Sequence, residues 1–301
     1  MHRSETGVIG GIAWTQLGPG TLVEQERNFD LGRLKLQFLQ HGVACKGEGA
    51  VEKNHTLVSL TSGAEAVTRW NGLEVGQRDL GTTRTLVDIC STAPDTVCTI
   101  TFCDRHVNEE YRKSHFVPDF LDAIHSRPVL VRNPYVRQLR SYVHGICTGN
   151  RWIESVPAAT LESNLLWFLS AAVSDKGEMV EPTRPQSRKV VAVRQCQEYI
   201  ESRMGDPVTL LELSETSGLR PRSLISAFEA VTGMSPMAYL RARRLGEVRR
   251  VLESVHFPRM RITDVAADWG FWHMGHFTAA YRAMYGETPS QTLLRTRGEK
   301  S

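Results

Sequence analysis

Between Leu34 and Cys103 apolar and polar positions alternate along the chain. The runs LKLQFLQ, HTLVSL, AVTRW, LEV, TLVDIC and VCTITF have a period of two and are rich in β-branched residues, the pattern of strands with one buried face. Turn residues separate them. Asn71-Gly72, between AVTRW and LEV, suits the positive φ angles of a tight hairpin. Short strands with no long helical pattern between them predict an antiparallel barrel or sandwich over residues 1–105. From Val107 to Val173 the apolar spacing changes to three and four, and EEYRKSHFVPDFLDAI, YVRQLRSYVHGIC and ATLESNLLWFLSAAV predict helices within 106–173. Pro118 and Pro134 mark boundaries or helix starts there. Residues 174–189, SDKGEMVEPTRPQSRK, have prolines, a glycine and no apolar periodicity, and read as a linker.

Beyond the linker, residues 190–301 repeat one plan twice. TLLELSETSGLRPRSLISAFEAV divides into two short helices about Gly218. Thr209 and Glu212 are spaced for a capping box, and Pro221 suits the first turn of the second helix. In that second helix Leu224, Phe228 and Val231 form the inward stripe, leaving Arg222, Ser223, Ile225, Ser226 and Glu229 on the other side. ITDVAADWGFWHMGHFTAAYRAMY repeats the plan, with Thr263 as predicted cap, Gly270 at the turn and Phe277, Tyr281 and Met284 inward. His273, Gly275, His276, Thr278, Ala279 and Arg282 are left more exposed. An arginine-rich helix, AYLRARRLGEVRRVLES, joins the two units and predicts reading helices about one DNA turn, ~34 Å, apart.

Composition changes this picture little, and charge sharpens it. At 301 residues the chain exceeds the ~150 typical of one domain, and 41% apolar with 23% charged residues is ordinary for a globular protein. No apolar run approaches the ~18 residues of a membrane span, and the first 20 residues lack the pattern of a leader, which predicts a cytoplasmic protein. Cys45, Cys90, Cys98, Cys103, Cys147 and Cys196 form no C-x-x-C pair and sit mostly in apolar stretches, so they read as reduced core thiols. The net charge of +3 lies wholly in residues 190–301, which hold 15 Lys/Arg against 12 Asp/Glu; the rest has 21 of each. A basic excess confined to the duplicated segment points to a polyanion partner.

On these residues the C-terminal third is similar to the DNA-binding domain of the AraC/XylS family of bacterial transcription regulators. AFEAVTGMSPMAYLRARRL, ITDVAADWGF and HFTAAYRAMYGETPSQTLLR carry the likeness, and GFWHMGHF is similar to the ethanolamine-operon regulator branch. The resemblance implies an α+β protein of two domains. A cupin-like β-barrel would sense a small-molecule effector, the helices after it would serve a homodimer, and an all-α domain with two helix-turn-helix units would bind promoter DNA. It implies sequence-specific regulation, activation in preference to repression, contact with RNA polymerase, and no cofactor. Carried over residue by residue, the family's base-reading positions fall on Arg222, Ile225 and Ser226, and on Gly275, His276 and Ala279. Ser223, His273 and Thr278 belong to the same exposed sides. Two departures stand out: Arg220 replaces a capping Ser or Thr, and Ile225, Gly275 and Ala279 have no side-chain donor. Recognition then leans on Arg222, Ser226, His276, methyl contacts and DNA shape.

Other chemistry is sparse. His41 and His55 have no H-x-H or carboxylate companions, so no metal site is predicted. Cys98 and Cys103 read as core packing rather than a redox pair, and Trp269, Phe271 and Trp272 as packing at the turn. Arg241, Arg243, Arg244, Arg249 and Arg250 cannot all face DNA. The enzyme alternatives are a DNA-alkylation repair methyltransferase carrying the same DNA module, or a catalytic cupin fused to one. The first needs an activated thiolate, and the chain has no four-cysteine zinc pattern to supply it.

Overall fold

Asn71 and Gly72 adopt φ of 47° and 81° and close a two-residue hairpin between β6 (Thr68–Trp70) and β7 (Leu73–Glu74), with Trp70 opposite Leu73. Only a primed turn has positive φ at both central positions, and Asn and Gly are the residues that tolerate it. The computed structural model describes residues 12–61, 67–104, 129–149, 155–173, 178–180, 184–254 and 261–298. These divide between two compact units, one within Met1–Trp14, Val23–Gly42 and Gly47–Thr183, the other within Thr15–Leu22, Val43–Lys46 and Arg184–Ser301.

The remaining strands are β1 (Ala13–Gln16), β2 (Val23–Asp30), β3 (Leu34–His41), β4 (Cys45–Ala50), β5 (His55–Thr61), β8 (Asp79–Thr83), β9 (Leu86–Ser91), β10 (Asp95–Cys103), β11 (Val129–Arg132) and β12 (Glu178–Val180). They form two sheets, ordered β1-β4-β9-β6-β7 and β12-β11-β8-β5-β10-β3-β2. The pairs β2–β3, β3–β10, β10–β5, β5–β8, β8–β11, β11–β12, β6–β7 and β6–β9 are antiparallel. The protein is thus an α+β chain, with a β-rich unit followed by a helical one. β2, with the sequence VEQERNFD, ends the larger sheet and is too polar to register as an apolar alternation.

Both faces of the larger sheet are buried, and they differ in chemistry. One face presents Leu36, Phe38, Val58, Leu60, Leu80 and Ile100 to α1 (Tyr135–Thr148) and α2 (Ala158–Val173). These helices answer with Val136, Leu139, Val143 and Ile146, and with Leu161, Leu165, Leu166 and Leu169. The other face meets the smaller sheet. Leu57 and Val97 pack there on Trp70, Leu73, Val75, Val87 and Ile89, but the row across β3, β10, β5 and β8 is Gln37, Thr99, Ser59 and Gly81. A Cβ on Gly81 would stand 2.6 Å from the Trp70 ring, so only glycine lets the indole lie on the sheet.

The helix expected over 109–124 lies outside the described residues. Segment 174–189 is not bare linker: β12 adds to the sheet edge through Leu130↔Val180 and Val131↔Met179, and α3 (Arg184–Ser202) begins inside it. Three strand residues are too few to produce a periodic signal. Among the described residues no helix is long and apolar enough to cross a membrane, and no cluster of three His, Cys, Asp or Glu could hold a metal.

Candidate nucleic-acid interface

The first helix-turn-helix unit is α4 (Leu210–Ser217) and α5 (Pro221–Thr232). Thr209 Oγ1 accepts from the Glu212 amide at 3.2 Å while Glu212 Oε2 accepts from the Thr209 amide at 2.7 Å, completing the predicted capping box. The Thr209 hydroxyl also donates to Glu212 Oε2 at 2.8 Å, and this bond first, then that from the Thr209 amide, holds the Glu212 carboxyl below the ordinary carboxylate value. Gly218, at φ 65°, ends α4, and Pro221 opens α5. Leu224, Ala227, Phe228 and Val231 of α5 are buried, whereas Arg222, Ser223, Ser226 and Glu229 are exposed and Ile225 is half-buried. Arg220 occupies the N-cap without a side-chain cap bond.

The second unit is α7 (Ile262–Asp268) and α8 (Met274–Tyr285). Phe277 and Tyr281 are buried and Met284 half-buried. Tyr281 shares a 2.9 Å hydroxyl hydrogen bond with Thr292, and burial pushes its phenol up to about 12. His273, Gly275, His276, Thr278, Ala279 and Arg282 are exposed. Thr263 does not cap α7. Arg261 is the N-cap, in extended backbone, and Thr263 lies inside the first turn, where its hydroxyl donates to Asp264 Oδ1 at 3.3 Å. A cap residue must have non-helical backbone, so a helix beginning at Ile262 removes Thr263 from the role.

α5 and α8 share one plan. Each begins three or four residues past its turn glycine and ends on a left-handed glycine, Gly233 at φ 78° and Gly286 at φ 71°. Matching their first residues places Leu224 with Phe277 and Phe228 with Tyr281, both buried pairs. The same register places Arg222 with Gly275, Ile225 with Thr278, and Ser226 with Ala279. Arg222 and Ser226 of the first helix therefore correspond to bare backbone and a methyl in the second, whereas Ser223 corresponds to His276 and Glu229 to Arg282.

Between the units runs α6 (Pro236–Glu253), about 27 Å long at ~1.5 Å per residue. Its arginines have separate tasks. Arg243 pairs with Glu201 at 2.7 Å, and Arg244 donates from Nε to the Met204 carbonyl at 2.8 Å and from Nη2 to that of Asp206. Arg249 pairs with Glu253 and Glu287 and lies over the Tyr285 ring at 4.5 Å, and Arg250 pairs with Glu247 at 2.8 Å. Among the described residues Arg220, Arg222, Arg241 and Arg282 are exposed and make no ion pair or side-chain hydrogen bond.

One of these, Arg241, lines a cleft of about 470 Å³ between α6 and the α7–α8 turn, together with Met237, Trp272, His273 and His276. Trp269 and Phe271 pack against the core of the second unit as predicted, but Trp272 is 69% exposed. After Gly218 two residues, Leu219 and Arg220, precede the next helix; after Gly270 there are three, Phe271, Trp272 and His273. That extra residue was the signal in the sequence that one turn aromatic stands outside the core.

The helix-turn-helix domain family model matches residues 213–295. The XylDLEGF operon transcriptional activator 2 of Pseudomonas putida is 40% identical over 133 residues, 44% of this chain and 80% of that protein. The XylDLEGF operon transcriptional activator of the same organism is 34% identical over 142 residues, 47% of this chain and 42% of that protein, so the match spans less than half of that relative. A solved structure of a probable AraC family transcriptional regulator from Rhodopseudomonas palustris is 39% identical, with a TM-score of 0.34, over 35% of this chain and 97% of that one. Both of these curated relatives are XylDLEGF operon activators, in place of the ethanolamine-operon branch that GFWHMGHF suggested.

Proposed function

Because the chain belongs to the AraC/XylS family of transcription regulators, we propose that it activates transcription from a promoter bearing two major-groove elements about one DNA turn apart. The observation that carries this reading is the α5 surface, where Arg222 and Ser226 are exposed with no ion pair while the opposite face is buried. Arg222 is the candidate for a bidentate contact with guanine, and Ser223, Ile225 and Ser226 add hydroxyl and methyl contacts. Near the start of α8, His276 and Thr278, with His273 at the N-cap, bring polar side chains, and Arg282 does so a turn further on; Gly275 and Ala279 allow close approach of backbone to DNA. The second element is then read mainly by shape and backbone contact.

The β-rich unit is proposed to sense a small-molecule effector, which changes promoter affinity by its differential affinity for two arrangements of the protein. A homodimer, contact with RNA polymerase and a cytoplasmic location follow from family membership in the same reading. Catalysis is no part of it. Cys196 is pushed up by burial, and Cys98 by its hydrogen bond with Cys147 together with burial, the opposite of the activated thiolate a methyl-accepting repair enzyme needs.

The experiment is selection of bound DNA by the purified full chain from a random pool at fixed, near-physiological salt. Recovery of a motif with two elements about one turn apart supports the reading. A folded protein that enriches no motif, with or without added cell extract metabolites, overturns it.

A further inference from the structure

The turn of the second unit has three aromatic residues within four positions, Trp269, Phe271 and Trp272. Two of them serve the core. Trp269 and Phe271 pack against the cluster that contains Phe277 and Tyr281, with the Phe271 and Phe277 rings 5.1 Å apart. Trp272 does not join them, and among the described residues it is the most exposed of the large apolar side chains. An indole has a large apolar surface, so one held in water by a fixed turn adds little to the fold. A single exposed apolar residue is ordinary. The neighbours of Trp272 are what set it apart.

Trp272 lines the cleft of about 470 Å³ with exposed Met237, and the ionisable residues around it are Arg241 and Arg244 of α6 with His273 and His276 at the start of α8. No carboxylate is among the lining residues. Arg244 is held by the carbonyls of Met204 and Asp206, but Arg241 is exposed and makes no ion pair or side-chain hydrogen bond among the described residues. The two imidazoles are exposed too, their ring centres 5.8 Å apart. A partner suited to this cleft brings an anion for Arg241 and the histidines and, beside it, an apolar face for the indole. A DNA strand does both, because phosphate alternates with deoxyribose along it. The cleft is also continuous with the reading surface through His276, where Gly275, exposed and without a side chain, lets a duplex come close. We infer that the cleft seats one sugar-phosphate strand at the second element, with Trp272 packed on a deoxyribose and Arg241 on an adjoining phosphate. The inference rests on reading the chain as a DNA-binding regulator. It makes Trp272, which lies outside both reading helices, an anchor of the second unit that acts by packing and not by charge.

The test is equilibrium binding of the full chain to the selected duplex and to a scrambled duplex of equal length, at near-physiological salt. Trp272→Ala should weaken both by the same factor, about 5- to 30-fold, the range for a truncated aromatic anchor. The slope of log K against log salt should not change, because no charge is removed, and the Tm should stay within about 1 °C of the parent. Trp272→Phe should recover most of the affinity. Acrylamide quenching reads the contact directly: duplex DNA should shield emission in the parent that is absent from Trp272→Phe. Unchanged affinity, a loss confined to one base pair of the selected sequence, or a fall in Tm that accounts for the weaker binding overturns the contact. Shielding of the same indole by polyglutamate and not by duplex would assign the cleft to an acidic protein segment and overturn it as well. A chain that selects a motif and binds it equally with Trp272→Ala loses this contact and remains a regulator. One that selects no motif, yet binds any duplex in a Trp272-dependent way, keeps the contact and loses the regulator, and no binding to either duplex overturns both.

Discussion

Arg244 lies across Gly270, its Nη1 2.7 Å from where a Cβ on that glycine would stand. The guanidinium cannot swing aside cheaply, because its Nε and Nη2 are held by the carbonyls of Met204 and Asp206. One side chain of α6 therefore fixes both the turn of the second unit and the loop that leads into the first.

Gly270 and Gly218 hold equivalent turns at φ 77° and 65°, yet a Cβ on Gly218 would meet nothing within 4 Å. Gly218→Ala should cost only the left-handed backbone, about 1–2 kcal/mol. Gly270→Ala should cost that and the displacement of Arg244, about 2–4 kcal/mol in total. Chemical denaturation of both variants measures the difference. Equal losses would mean that Arg244 yields freely and does not tie the two units.

Arg222 has no partner among the described residues, so Arg222→Ala should leave the Tm within about 1 °C of the parent. Its affinity for the selected DNA should fall by 10-fold or more, the ~1–3 kcal/mol of a bidentate base contact, with relaxed preference at one base pair. Gly275→Arg tests the register from the other side: it should add a charged donor at the matching position of α8 and alter preference in the second element alone. Binding and preference unchanged in both variants would remove these positions from the interface.

What the sequence made legible was local. The Asn71-Gly72 turn, the Thr209–Glu212 box and the stripe Leu224, Phe228 and Val231 each depend on residues a few positions apart, and each is where the pattern placed it. Thr263 was misplaced because a cap is set by where helical backbone begins, and Arg261 provides that boundary with no distinctive side chain. Trp272 was assigned to the core by its type, while its exposure follows from one extra residue in the turn. The polar row Gln37, Thr99 and Ser59 was invisible for a different reason. Alternation marks two faces of a strand, but in β3, β5 and β10 both are buried, and nothing in the period says which one meets another sheet.

The Glu212 carboxyl, held below its ordinary value by Thr209, gives the first unit an acid-sensitive start. A lowered folded value means that the contribution is present in full above the unfolded value, ~4.3, and is lost as pH falls through the folded one. Thr209→Ala should cost about 0.5–2 kcal/mol at pH 7 and flatten the stability profile below pH ~4.3. Urea titrations from pH 7 to pH 3 test it, and a variant whose acid slope matches the parent's would show that the box contributes nothing there.

The division of labour along α6 predicts two opposite phenotypes from neighbouring arginines. Arg241 is exposed beside Trp272 and His276 on the cleft and makes no ion pair among the described residues. If it meets a DNA phosphate, Arg241→Ala leaves the Tm unchanged, weakens all DNA sequences alike and lowers the slope of log K against log salt by about 1, since one fewer counterion is released. Arg249 bridges Glu253 and Glu287 and covers Tyr285, so Arg249→Ala lowers the Tm and keeps the salt slope. Affinity measured by fluorescence anisotropy between 50 and 200 mM salt separates the two. A slope that falls with Arg249→Ala and stays with Arg241→Ala would place the polyanion on the opposite side of the connector helix and require the whole interface to be redrawn.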